Sequence, residues 1–78
     1  MSDLILYSRP GCHLCDEAAD LLAVVAPGRE FRTVDIEDDL ALLDRYGGRG
    51  PVLRLEPSGV ELGWPFDAAA LTRFLQSP

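Results

Sequence analysis

The sequence predicts an α/β fold, a mixed four-stranded sheet with helices on both faces, in the order β-α-β-α-β-β-α. Three observations lead there. Hydrophobic periodicity alternates along the chain between short apolar runs and helical stripes. The first two apolar runs flank a helical segment, so they are expected to pair in parallel through a right-handed crossover. The last two are separated by a tight-turn signal and are expected to form an antiparallel hairpin. The 78 residues suffice for a single domain, 1–78. A domain of this size buries only about 60% of the surface its unfolded chain exposes, so its stability margin is thin.

Each element has its own warrant. Leu4-Ile5-Leu6-Tyr7 is a short apolar run stopped by Pro10-Gly11, which favours a buried strand. From Cys12 the period changes. Leu14, Ala18, Leu21, Leu22 and Val25 share one helical face, with Asp16, Glu17 and Asp20 on the other. Pro27-Gly28 ends that helix near Ala26. Residues 31–36 read as a second strand, with β-branched Thr33, Val34 and Ile36. Asp38 or Asp39 caps a second helix through about Tyr46, with Leu40 and Leu43 expected to face inward. Gly47-Gly48 is its stop signal. Residues 51–55 form a third strand, Pro57-Ser58-Gly59 a turn, and residues 60–62 a fourth strand. Asp67 is a good N-cap for a last helix that points Leu71, Phe74 and Leu75 one way.

Composition narrows the function. Hydrophobic residues are 47% of the chain, ordinary for a globular protein. The net charge of −6 argues against nucleic acid and against electrostatic binding to anionic membranes. No apolar run approaches the roughly 18–20 residues of a membrane span. Met1-Ser2-Asp3 leads straight into an apolar strand with no secretory signal pattern, so a cytoplasmic protein is expected.

The chain has two cysteines, Cys12 and Cys15, separated by two residues. A bridge that short closes too small a loop to staple a fold, so its value is chemical. The pair sits where a strand ends and a helix begins. Cys12 near the N-cap faces the free N–H groups of the first turn, which favour an anion. The thiolate is the attacking species, and such an environment lowers a thiol pKa from about 8.5 towards roughly 3.5–7.5. Cys15, one turn on, lies on the same side of the helix and should be the more buried sulfur. His13 either stabilises the Cys12 thiolate or is an exposed first-turn residue. Arg9, permanently charged and just before the pair, is the stronger electrostatic candidate, its alternative being a solvated surface arginine. Zinc sites want four ligands, and no second half-site accompanies this one, so no metal is expected within one chain.

The run Leu6-Tyr7-Ser8-Arg9-Pro10-Gly11-Cys12-His13-Leu14-Cys15 resembles the active-site segment of glutaredoxins. Val34-Asp35-Ile36 is similar to their second strand. Gly50-Pro51-Val52-Leu53 sits where thioredoxin-fold proteins carry a cis-proline. Residues 11–18 look especially like a small bacterial group of glutaredoxin-like proteins of poorly defined function. The resemblance implies a thioredoxin-like fold and a thiol–disulfide oxidoreductase. Cys12 would be the nucleophile and Cys15 the resolving thiol. Pro51 would be the cis-proline, leaving the main chain at Gly50 to pair with substrate.

The chain departs from the family in three places. His13-Leu14 replaces the usual Pro-Tyr, a change to which redox potential is sensitive. Gly50 replaces a valine. In the glutathione site Gly63 and Asp67 remain, but Trp64-Pro65-Phe66 lies between them. Trp64 and Phe66 either form a substrate platform beside Cys12 or cover the core beneath the last helix. The Trp-Pro-Phe stretch resembles that of redoxins that take electrons from thioredoxin reductase.

Taken together, the expected substrate is a protein disulfide or a glutathione mixed disulfide. The expected reductant is a thiol or a flavoprotein. Arg9, His13, Gly50, Pro51, Trp64 and Asp67 are the expected substrate-binding residues. No bound cofactor is expected, glutathione being at most a co-substrate, and the chain should act as a monomer. The rival readings are a non-catalytic thioredoxin-like interaction domain and a dimer bridged by a metal or cluster.

Overall fold

The computed structural model describes residues 3–77. The N-terminal reading of Met1 and Ser2 falls outside them. Four strands, β1 (Leu4–Ser8), β2 (Arg32–Asp35), β3 (Val52–Leu55) and β4 (Glu61–Gly63), form one sheet in the order β2-β1-β3-β4. β1 pairs in parallel with β2, and β3 pairs antiparallel with both β1 and β4. Among the described residues the α-helices are α1 (His13–Val25), α2 (Leu40–Tyr46) and α3 (Ala68–Leu75). This is the thioredoxin-like arrangement the sequence predicts, with parallel crossover and hairpin both in place.

Alternation along the central strands builds two cores. Leu4 and Leu6 of β1 and Leu53 and Leu55 of β3 face one side. There they meet Ala18 and Leu22 of α1, Leu71 and Phe74 of α3, and Phe66. Val52 faces the other side, with Ile36 and Tyr46, and Tyr7, Leu42 and Leu43 pack against them. Helices therefore cover both faces.

Three local expectations are corrected. The α1 stripe starts at Cys15, which is buried, while Leu14 is 40% exposed. The cap at Cys12 and the bridge to Cys15 turn position 15 towards the sheet, and about 100° of rotation per residue carries Leu14 out. Leu40 is 85% exposed. As the first residue after the Asp39 cap it precedes the inward stripe, which is Leu42, Leu43 and Tyr46. The second strand stops at Asp35, whose carboxylate accepts from the Glu37 amide at 2.8 Å and turns Ile36–Asp38 into a 3-10 segment. Ile36 is still buried.

The proline expectation is also corrected. Among the described residues the cis peptide bonds are Glu56–Pro57 and Trp64–Pro65, and Gly50–Pro51 is trans. Pro51 is buried and runs directly into β3, its carbonyl accepting from the Trp64 amide at 3.0 Å. That bond carries the β3–β4 pairing one step beyond the Val52–Gly63 pair. No helix among the described residues is long and apolar enough to cross a membrane.

Candidate active site

Cys12 is the N-cap of α1, with extended backbone at φ −86° and ψ 101°. Its sulfur accepts from the Cys15 amide at 3.2 Å. Its carbonyl accepts from the same amide at 3.1 Å and from Asp16 at 3.4 Å. Pro10 and Gly11 make the turn that brings β1 to this point, and Gly11 takes φ +71°, which side chains disfavour. A disulfide joins Cys12 to Cys15, their Cα atoms 5.3 Å apart. The two sulfurs are unequal in access. Cys12 is partly exposed, whereas Cys15 is 7% exposed against the sheet.

Two concavities meet at this disulfide. One is a cavity of about 10 Å³ lined by both cysteines together with Tyr7, Arg9, Tyr46, Arg49 and Gly50. That is about the space one water occupies. The other is an open groove of about 450 Å³ along residues 9–14. Arg9 and Cys12 belong to both.

The expected site residues divide accordingly. Arg9 is at the site, but its guanidinium is turned to α2. Nη1 donates to the Gly47 carbonyl at 3.0 Å, and Nε lies 3.4 Å from Glu37 Oε2. His13 lies on the groove with its side chain 83% exposed, and its Nε2 points along the helix to Glu17 Oε2, 3.7 Å away. It does not turn back to Cys12. Gly50 lines the cavity, and among the described residues its N–H and C=O have no hydrogen-bond partner. Pro51 follows it into the strand.

Trp64 and Asp67 stand apart from the cavity. Trp64 packs on the α1–α3 core and meets Phe66 edge to face at 5.1 Å. It also lies over Gly50. A Cβ added to Gly50 would come within 3.2 Å of the Trp64 Cβ, so a side chain there would have to push the indole aside by a few tenths of an ångström. Asp67 caps α3, its carboxylate accepting from the Ala70 amide at 2.8 Å.

Tyr7, Tyr46 and Arg49 complete the cavity wall. The two tyrosine rings stack at 4.5 Å. The Tyr46 hydroxyl donates to Glu61 Oε2 at 2.5 Å, and Arg54 Nη1 donates to the same oxygen at 2.9 Å. Burial, then the bond to Glu61, pushes the Tyr46 phenol up from its ordinary value. Burial alone would raise the Glu61 carboxyl as well. Hydrogen bonds from Tyr46 and Arg54 and the charge of Arg45 outweigh it and hold Glu61 below the usual range. Sequence reading placed Tyr46 only as a helix end and passed over Arg49. The available signal was that Arg49 directly precedes Gly50-Pro51.

A βαβ unit joined to a β hairpin, with a two-cysteine motif capping the first helix, defines a thioredoxin-like redox fold. The chain belongs to the glutaredoxin-like domain family (DUF836), which it matches over residues 3–76. An X-ray structure of Northeast Structural Genomics target protein XcR50 from X. campestris is similar, with a TM-score of 0.85 at 51% identity, covering 96% of this chain and 99% of that one. The solution structure of the same target matches at TM-score 0.83 and 51% identity, over 100% and 97% of the two chains. A glutaredoxin from Brucella melitensis matches at TM-score 0.59 and 34% identity, over 94% of this chain and 80% of that one. No curated protein matches the chain.

Proposed function

We propose that the protein is a dithiol–disulfide oxidoreductase that reduces protein disulfides or glutathione mixed disulfides in the cytoplasm, as a monomer. One observation carries the reading. A partly exposed sulfur caps a helix, and its disulfide partner is buried one turn behind it. Access is needed for the first attack and closeness for the second, and free N–H groups at a helix start favour the thiolate.

In the reduced protein the Cys12 thiolate attacks one sulfur of the substrate disulfide. A Cys12–substrate bond forms, the substrate S–S bond breaks, and one substrate thiolate leaves. The Cys15 thiolate then attacks Cys12, forms the Cys12–Cys15 bond and expels the second substrate thiolate. Two electrons pass to the substrate, and the protons of the two protein thiols end on the two substrate thiols. A thiol such as glutathione, or a flavoprotein reductase, returns two electrons and two protons to Cys12–Cys15. The cycle needs no resident cofactor. Gly50, with its free main-chain groups beside the sulfurs, is the position for substrate backbone. Arg9 braces the loop before Cys12 against α2.

Reduction of insulin or of a glutathionylated peptide tests this. Wild type is expected to turn over, Cys12→Ser to fall to the uncatalysed rate, and Cys15→Ser to accumulate a mixed disulfide with the substrate. Full activity in Cys12→Ser would overturn the reading and favour a non-catalytic interaction domain.

A further inference from the structure

We infer that the rim of the disulfide selects protein segments carrying an acidic side chain beside their half-cystine, and that Arg49 is the residue that reads the charge. The inference rests on the exchange reaction proposed above and specifies its substrate.

The chain carries a net −6, yet three of its seven cationic side chains gather around the C-terminal end of α2. Arg9 is bound to the Gly47 carbonyl, and Arg45 and Arg49 lie 5.4 and 5.7 Å from the Tyr46 ring centroid. Two of the three are already neutralised. Arg9 is paired with Glu37 at 3.4 Å and Arg45 with Glu61 at 3.5 Å. Arg49 forms no ion pair with a carboxylate among the described residues, and it lines the cavity shared by Cys12, Cys15 and Gly50. Its guanidinium is also held in place. The Tyr46 ring lies beneath it, and a Cβ added to Gly63 would come within 2.8 Å of Nη2. This is a positioned, uncompensated cation at the mouth of a redox site. At physiological ionic strength the Debye length is about 8 Å, so a substrate at the disulfide feels Arg49 more than those carboxylates that lie beyond that distance. Of the nearer ones, Glu37 and Glu17 are turned to Arg9 and His13.

The shape of the rim points to an extended segment. The cavity, at about 10 Å³, admits no tripeptide, and the Asp67 carboxylate is engaged at the start of α3. The open groove of about 450 Å³ runs from Arg9 past exposed Pro10 to Leu14. A strand crossing Cys12 would lay an apolar side chain there and present its acidic side chain to Arg49, with its backbone against Gly50.

Two disulfide-bonded peptides, identical except for Glu or Lys beside the half-cystine, test this as a ratio of kcat/KM. In wild type the Glu peptide is expected to be favoured about two- to fivefold at low salt, the range of an exposed ion pair. The ratio should shrink in high salt, fall to about one in Arg49→Ser and invert in Arg49→Glu. A wild-type ratio near one, or a ratio that persists in Arg49→Ser, overturns the inference and leaves the exchange reaction standing. Faster turnover of glutathione disulfide than of the Glu peptide also overturns it, because the rim would then be reading the tripeptide. If wild type reduces none of these substrates, the exchange reaction fails and the inference fails with it.

Discussion

Truncating Leu53 to alanine is expected to lower the unfolding free energy by about 2–5 kcal/mol. Leu53 is fully buried on β3, between β1 and β4, and packs in the core shared by α1 and α3. Natural domains hold roughly 0.05–0.15 kcal/mol per residue, so 78 residues hold roughly 4–12 kcal/mol in all. A cavity at Leu53 therefore removes a large share of the total. The denaturant midpoint should fall sharply at a nearly unchanged slope. Val24→Ala serves as the control. Val24 is 77% exposed, and its truncation should shift stability by no more than about 0.5 kcal/mol. Equal midpoints for the two variants would contradict the assignment of the core.

The second large effect is expected at Glu61. This carboxylate on β4 gathers the Tyr46 hydroxyl from α2 and Arg54 from β3, and Arg54 also donates to Glu56 at 2.6 Å. Tyr46 in turn stacks on Tyr7 of β1. One side chain thus ties the hairpin to the helix that walls the cavity. Glu61→Gln keeps the shape and removes the charge, and hydrogen bonds to a charged acceptor contribute about 1.5–3 kcal/mol each. A loss of about 2 kcal/mol at neutral pH is the expected result.

The pH dependence has a definite sign. The folded carboxyl of Glu61 is held below its ordinary value, near 4.3 in an unfolded chain. Its contribution is therefore complete above about pH 4.3 and is lost as pH falls through the lower folded value. Tyr46 is shifted upward, so its contribution is complete below about pH 10 and is lost as pH rises beyond that. Glu61→Gln should flatten the acid limb of a stability-against-pH curve measured by denaturant unfolding. An acid limb as steep as that of wild type would show that Glu61 is not the linked group.

Most of the fold was legible because its signals are local. The apolar run before Pro10-Gly11, the stripe after Cys12, the caps at Asp38 or Asp39 and at Asp67, and the Pro57-Ser58-Gly59 turn each announce an element in a few residues. The errors arose where phase is set by a cap and not by the apolar period. Leu14 and Leu40 have the apolar character of core residues. Each lies in the first turn of its helix, where the cap decides rotation before any periodicity has built up.

The site was legible in its sulfurs and less so in its walls. Cys12 and Cys15 announce themselves by spacing and by their position after a strand. The partners of Arg9 do not, because Gly47 and Glu37 approach it only through the packing of α2 and the segment before it. Arg49 and Tyr46 reach the cavity by the same long-range route. Asp67 had a legible local role as a cap, and the structure shows it in that role. Trp64 is explained by Gly50 and Phe66, a pairing that emerges only once the β3–β4 pairing brings Trp64 beside Gly50 and Pro51.

The division of labour between an open sulfur and a sheltered one is tested most directly by brief alkylation of the reduced, folded protein near neutral pH, read by peptide mass. The modification is expected to accumulate on Cys12, with Cys15 labelled only after unfolding. Equal labelling of the two, or labelling of Cys15 first, would contradict it.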